Sequence, residues 1–186
     1  MAARKPCRYV GRMDSALKQS MAPVGSTDAV LLILGSLPGE ASLGAQRYYA
    51  HPQNQFWRLL GDAIGEPLAQ ADYHDRLDRL SARGIALWDV VGEARRTGSL
   101  DGAMRDVRAN PLIDYVTTHP RLAAIAFNGK TAARIGRRAL GALEAIELID
   151  LPSSSPAYTL NYAIKADAWR TLGRLALARE DATLGR

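Results

Sequence analysis

The sequence predicts an α/β fold, a parallel sheet with helices on both faces. Three observations predict it. Short apolar runs at 30–34 (VLLIL), 85–91 (IALWDVV) and 122–127 (LAAIAF) read as buried strands bounded by turn residues. Segments of helical period separate them. Residues that packing explains least gather just after the runs, where ligands bind in open parallel sheets.

Taken in order, residues 1–27 lack a clear period and read as a basic, flexible tail before a single domain over 28–186. The first strand, 30–34, leads into a loop over 35–53. A helix is expected over 54–64, with Phe56, Trp57, Leu59, Leu60 and Ile64 as its apolar set. An amphipathic helix follows over 72–83, then the strand 85–91. Asn110-Pro111 reads as an N-cap and first-turn proline opening a helix to about Thr118. After the strand 122–127 comes a basic helix, 130–140. A fourth run, 145–151, is apolar but broken by Glu147 and Asp150, and a last helix spans 161–178 with Ile164, Ala168, Leu172 and Leu175 inward.

Composition narrows the class. The chain has 186 residues and is 47% hydrophobic, enough for a real core. No stretch is long and apolar enough to span a membrane, which takes about 20 residues. The only cysteine is Cys7, which excludes an internal disulfide, a cysteine-rich zinc site and a cluster held by this chain's own cysteines. A cytoplasmic location and a monomer are the expectations, with no cofactor and no metal. The net charge is +5, and residues 1–20 hold most of it: Arg4, Lys5, Arg8, Arg12 and Lys18 face only Asp14. A second basic cluster, with no acid, runs from Arg121 to Arg138 and includes Lys130 and Arg134 at helical spacing. Such a face suits a phosphate backbone, and it equally suits solvent.

Four loops follow the strands: 35–53, 89–110, 128–130 and 151–160. GSLPG at 35–39 lacks the dinucleotide-binding glycine pattern, and Pro38 removes a phosphate-binding donor. It reads as a rigid turn whose glycines admit a flat ligand. YYAHPQNQFW at 48–57 offers Tyr48 and Tyr49 as stacking faces and Asn54 as an amide. Asn54 is also a natural helix cap, and Phe56 and Trp57 read as core. LPSSSPAY at 151–158 brings Ser153, Ser154 and Ser155 together between prolines, a set suited to phosphate oxygens or simply a polar loop. A serine nucleophile has no G-x-S-x-G elbow to sit on.

These stretches, with FNGKTA at 127–132, resemble the uracil-DNA glycosylase superfamily. GSLPG is similar to its first motif, commonly G-I-N-P-G in the mismatch-specific branch, and LPSSSPAY to its second, P-S-S-S. The tyrosine pair, ALWDVV at 86–91 and LPSSSPAY are most like the hypoxanthine-DNA glycosylase branch. The resemblance implies a three-layer α/β/α sandwich around a short, mostly parallel sheet. It implies a monofunctional enzyme that flips a deaminated base from single- or double-stranded DNA and hydrolyses its N-glycosidic bond.

The resemblance also assigns residues. Where the mismatch branch has a water-positioning Asn, this chain has Leu37, and Leu151 stands where the uracil-specific branch has a His. Catalysis therefore falls to Asn54 and to Asp89, whose place corresponds to a base-reading residue. Asp89 reads equally as a helix cap or a partner of Arg95 or Arg96. Gly35, the amides of Ser36 and Leu37, Tyr49 and Asn128 are implied base contacts. Ser153, Ser154, Ser155 and Lys130 are implied DNA contacts, with Tyr158 as a wedge into the duplex. Two other readings stay open: a lesion-binding protein without turnover, motivated by Leu37 and Leu151, and a small-molecule hydrolase using the serine loop.

Overall fold

The computed structural model describes residues 15–25 and 28–175. Four parallel strands form the central sheet: β2 (Leu31–Gly35), β3 (Ile85–Asp89), β6 (Ala124–Asn128) and β7 (Glu147–Leu151), in the order β3-β2-β6-β7. Leu31 and Ile33 point into one apolar cluster, and Leu32 and Leu34 into another. A strand buried on both faces loses the alternating pattern, which is why 30–34 is a continuous apolar run. Helices α2 (Phe56–Ile64), α3 (Tyr73–Ala82) and α6 (Tyr162–Trp169) supply apolar residues on the Leu31 side. Helices α4 (Leu112–Thr118) and α5 (Lys130–Leu140) do so on the other. The three-layer expectation is met. After β2 the chain builds β3 on one side of it and β6 on the other, so the strand order reverses at the β2–β6 boundary.

The five apolar residues expected in α2 are all buried, each worth about 1.5–3 kcal/mol of transfer free energy. Helix α3 is capped by Asp72, whose carboxylate accepts the Asp75 N–H at 3.0 Å. Helix α5 has the bounds expected of it. Its Gly136 lies against the sheet: a Cβ there would stand 3.0 Å from Val90 Cγ1 and closer still to the fully buried Phe127 ring. Gly136→Ala is therefore expected to lower stability by about 1–3 kcal/mol, despite alanine's better helix propensity. Urea unfolding checks this.

Several expectations are corrected. The run 85–91 is not one strand. The chain bends at Val90, and β4 (Val91–Arg95) leaves the central sheet to join β1 (Leu17–Gln19) and β5 (Arg105–Ala109) in a second, antiparallel sheet, order β1-β4-β5. Every residue of β5 is exposed and β1 has only three residues, so neither carries a hydrophobic period. The described part of the expected tail, residues 15–25, is thus built into the fold, and Val24 bridges to Leu87. Residues 1–14 of that tail lie outside the described residues. A short helix, α1 (Glu40–Ala45), interrupts the loop 35–53. Asn110 is not a helix cap: its Nδ2 donates to the Asp89 carbonyl at 2.8 Å, and Pro111 caps α4. Strand β7 tolerates Glu147 and Asp150 because it is an edge strand, and Arg137 pairs with Asp150 at 3.0 Å.

Of the residues expected inward in the last helix, Leu172 is fully buried and Leu175 packs against the core, while Ile164 and Ala168, on α6, are exposed. Ile164 is 57% exposed, whereas Lys165 and Trp169 are inside. The reason is polar satisfaction. The Lys165 ammonium donates to Tyr158 O at 2.7 Å and Gln55 Oε1 at 3.0 Å, and Trp169 Nε1 donates to Pro152 O at 3.0 Å. Among the described residues no helix is long and apolar enough to cross a membrane.

Candidate nucleic-acid cleft and base pocket

A cleft of about 1290 Å³ opens at the carboxyl ends of the central strands. Small-molecule pockets run to roughly 300–1,000 Å³, so this one has room for a nucleotide and part of its strand. The segments 35–39, 99–103, 128–131 and 151–158 line it, with Tyr49, Asn54 and Asp89. The structure thus brings together nearly every residue that the sequence selected from four separate loops.

Gly35 ends β2, and its missing side chain shapes the floor. A Cβ there would stand 2.6 Å from Asp89 Oδ1 and 3.1 Å from Tyr49 Oη. Only glycine lets a carboxylate and a phenol converge at that point. Asp89 ends β3 and is 3% exposed. It caps no helix and forms no ion pair among the described residues. Ser20 Oγ, from the supposed tail, donates to its Oδ2 at 3.0 Å. Burial pushes the Asp89 carboxyl up to about 7; the hydrogen bond from Ser20 and the charge of Arg96 only partly offset this.

Tyr49 has a left-handed backbone, φ 54°, unusual for an aromatic residue. One face of its ring stacks on Phe56 at 3.6 Å and 8°. Among the described residues its buried hydroxyl has no hydrogen-bond partner, and burial raises its pKa. Tyr48, the other stacking candidate, is 3% exposed and donates to Ala22 O at 3.1 Å, so it is a wall beneath the site.

The GSLPG turn is pinned from behind. Arg96, fully buried, donates from Nη1 to Leu37 O at 3.2 Å and from Nη2 to Pro38 O. Leu37 is 5% exposed and belongs to the core. Asn54 is not the helix cap expected of it: Gln55 holds that position, and Asn54 Oδ1, one residue earlier, accepts the Phe56 N–H at 3.0 Å, while Nδ2 donates to no group among the described residues.

On the opposite wall the serine loop requires a correction. Ser154 is fully buried, and its Oγ accepts from Asn128 Nδ2 at 2.9 Å while its N–H donates to Asn128 Oδ1 at 2.8 Å. The pair locks β6 to the loop after β7, so the Ser154 hydroxyl is not presented to a phosphate, and much of the Asn128 amide is occupied. Gly129 serves the same closure: its φ is 100°, and a Cβ would lie 2.9 Å from Ser153 Cβ. Ser153 Oγ accepts the Ser155 N–H at 3.2 Å, and Ser155 Oγ accepts the Ala157 N–H at 3.3 Å. Tyr158, 41% exposed, stands at the mouth, its ring 5.3 Å from the Lys165 ammonium. Lys130 and Arg134 are exposed along the rim on α5. Among the described residues no group of three or more His, Cys, Asp or Glu is placed to hold a metal.

Sequence reasoning missed Ser20, Asp101 and Lys165, and it offered Arg96 only as a partner of Asp89, not as the brace of the GSLPG turn. Ser36 Oγ donates to Asp101 Oδ1 at 2.7 Å. Only the turn signals around Gly98 and Gly102 mark Asp101's loop in the sequence, and they do not say what the loop covers.

Comparison with known proteins agrees with this geometry. Residues 22–174 match the family described as the uracil DNA glycosylase superfamily. A protein of Methanosarcina acetivorans named hypoxanthine DNA glycosylase is 38% identical over 143 residues, 76% of this chain and 88% of its own length. One of that name from Methanosarcina barkeri is 42% identical over 113 residues, 61% of this chain and 72% of its own. A solution NMR structure from Methanosarcina acetivorans, of a protein assigned provisionally as a uracil DNA glycosylase, superposes with a TM-score of 0.76 at 35% identity. It covers 87% of this chain and 99% of that one. With its parallel sheet, its reversal at β2 and a base-sized floor at Gly35, the chain belongs to the uracil DNA glycosylase superfamily.

Proposed function

We propose that this protein is a monofunctional DNA glycosylase that hydrolyses the N-glycosidic bond of a flipped deaminated base, with hypoxanthine favoured. The observation that carries the reading is a pair of polar atoms that meet at the floor. Asp89 Oδ1 is an acceptor and the unpartnered Tyr49 Oη a donor, and both converge on Gly35. Hypoxanthine presents N1–H beside O6, the complementary order. Adenine presents a lone pair at N1 and a donor at N6, so an ionised Asp89 repels it. The names of the two relatives support hypoxanthine over uracil, whose N3–H and O4 offer the same order.

The roles follow from chemistry. Asn54 has its oxygen committed to α2, so its free Nδ2 acts as a donor to the base as negative charge develops on it. The glycosidic bond breaks through an oxocarbenium-like state that needs little nucleophilic push. The backbone of the Ser36–Leu37 turn lies against the base. The Ser153 and Ser155 loop, Lys130 and Arg134 track the phosphates, and Tyr158 fills the gap left in the stack. The protein acts in the cytoplasm, as a monomer, on single- or double-stranded DNA.

The test is a panel of duplexes bearing inosine, uracil or a G:T mismatch, followed by alkaline cleavage at abasic sites. Inosine is expected to be cleaved fastest. Faster cleavage at uracil or at the mismatch would move the preference within the family. Lesion-dependent binding with no abasic site on any duplex would replace the enzyme with a lesion-binding protein.

A further inference from the structure

The reaction needs a group that accepts a proton from water, and none of the residues assigned above supplies it. Leu37 is apolar and buried. Asn54 presents a donor, which orients a departing base better than it activates a nucleophile. Asp89 is buried beneath Gly35, where the base edge lies.

Asp101 has the missing chemistry. It opens a single 3-10 turn, Asp101–Ala103, in the connection between β4 and β5, and it lines the cleft half-buried. Its Oδ1 accepts from Ser36 Oγ, the residue immediately before Leu37. The carboxylate is therefore tethered at the end of β2, the place left apolar by Leu37. The loop that carries it is pinned on both sides: the Glu40 N–H donates to Ser99 Oγ at 3.0 Å, and the Met104 N–H to Asp101 O at 3.1 Å. Among the described residues Asp101 forms no ion pair, and its Oδ2 accepts no hydrogen bond. The charged and titratable groups around it are Arg96, Asp89 and Tyr49, which interact with it only through space. An unpaired carboxylate in a DNA-binding cleft repels phosphate. It is useful there only if positive charge develops nearby, as it does on the sugar during glycosidic cleavage.

We infer that Asp101 is a catalytic residue that holds the attacking water through its free Oδ2 and takes that water's proton. The inference rests on the glycosylase reading above. As the C1′–N9 bond breaks, its electron pair goes to N9 and the base leaves as an anion. The water oxygen bonds to C1′, and the water's proton passes to Asp101. The anion then takes a proton from solvent, and Asp101 returns its own.

Asp101→Asn tests this in the full chain, because asparagine keeps an oxygen for the Ser36 hydroxyl. The maximal single-turnover rate on an inosine duplex is expected to fall about 100-fold. The Kd for a duplex carrying 2′-fluoro-deoxyinosine, which resists cleavage, is expected to stay at the wild-type value. Full activity in the variant would overturn the inference. So would a loss of rate matched by weaker binding and a lower Tm, which would make Asp101 a loop latch. Wild-type protein that releases no base from inosine, uracil or the mismatch would instead sink the glycosylase reading itself.

Discussion

Asn54→Ala is expected to lower the maximal rate of base release about 100- to 1,000-fold, the usual cost of removing one preorganised donor from a developing anion. Two jobs are lost together. Nδ2 no longer faces the base, and Oδ1 no longer accepts the Phe56 N–H that opens α2. Losing that hydrogen bond costs about 1 kcal/mol of stability, too little to unfold a domain whose α2 buries five apolar side chains. Asn54→Asp separates the jobs, because aspartate keeps the acceptor for the Phe56 N–H and removes the donor. Both variants should therefore lose turnover, while only the alanine variant should melt earlier. Single-turnover assays beside thermal melts read the difference. Near-wild-type cleavage by Asn54→Asp would remove the donor role.

The second large effect belongs to Asp89 and is a dependence on pH. Its carboxyl titrates at about 7 in the folded chain, against an ordinary value of 3.8. The folded state therefore binds this proton more tightly than the unfolded state does. The stability it contributes is fully present below about pH 3.8 and is lost as pH rises through about 7. At most about 4 kcal/mol is involved. Asp89→Asn removes the titration, so its stability should stay level across that window and exceed the wild type at pH 8. Urea unfolding at pH 4 and pH 8 measures both limbs.

Activity runs the other way. Only the ionised carboxylate accepts N1–H without offering a competing proton, so kcat/KM on inosine should rise through about pH 7. In Asp89→Asn the rise should vanish and the rate at pH 8 fall about 10- to 100-fold, as expected for a lost charged hydrogen bond. A variant that keeps the wild-type pH profile would take Asp89 out of base reading. The Ser20 hydrogen bond, the nearby Tyr48 phenol, the Arg96 cation and the Asp101 anion all bear on that profile.

The stability cost supports the proposed role of Asp89. A structural carboxylate at 3% exposure would ordinarily be paired. Asp89 has Ser20 on one oxygen and open cleft beside the other. The cost is tolerated where a ligand later supplies the missing hydrogen bond.

Most of the site was legible in the sequence because it sits in loops whose residues packing does not explain. Gly35, Tyr49, Asn54, Asp89 and the serine loop follow strands whose apolar runs are unmistakable, and all line one cleft. The roles inside that set were less legible. Nothing local in S-S-S distinguishes Ser154, which faces Asn128, from neighbours that do not. Asn54 reads as a cap or as a donor; the cap is Gln55, and Asn54 braces the first turn of α2 while its Nδ2 has no partner among the described residues.

The sequence alone determined the alternation of strands and helices and the loops that form the cleft, because buried parallel strands and amphipathic helices write their periods into the chain. Tertiary structure alone decided the rest. It placed Ser20 on Asp89 across 69 residues and Asp101 on Ser36 across 65. It folded residues 17–19 of the supposed tail onto β4 and drew Lys165 inside to hold the Tyr158 loop. These are single polar contacts between distant segments. They leave no periodic trace, because what satisfies a buried polar atom is the geometry of its partner, whatever the sequence beside it.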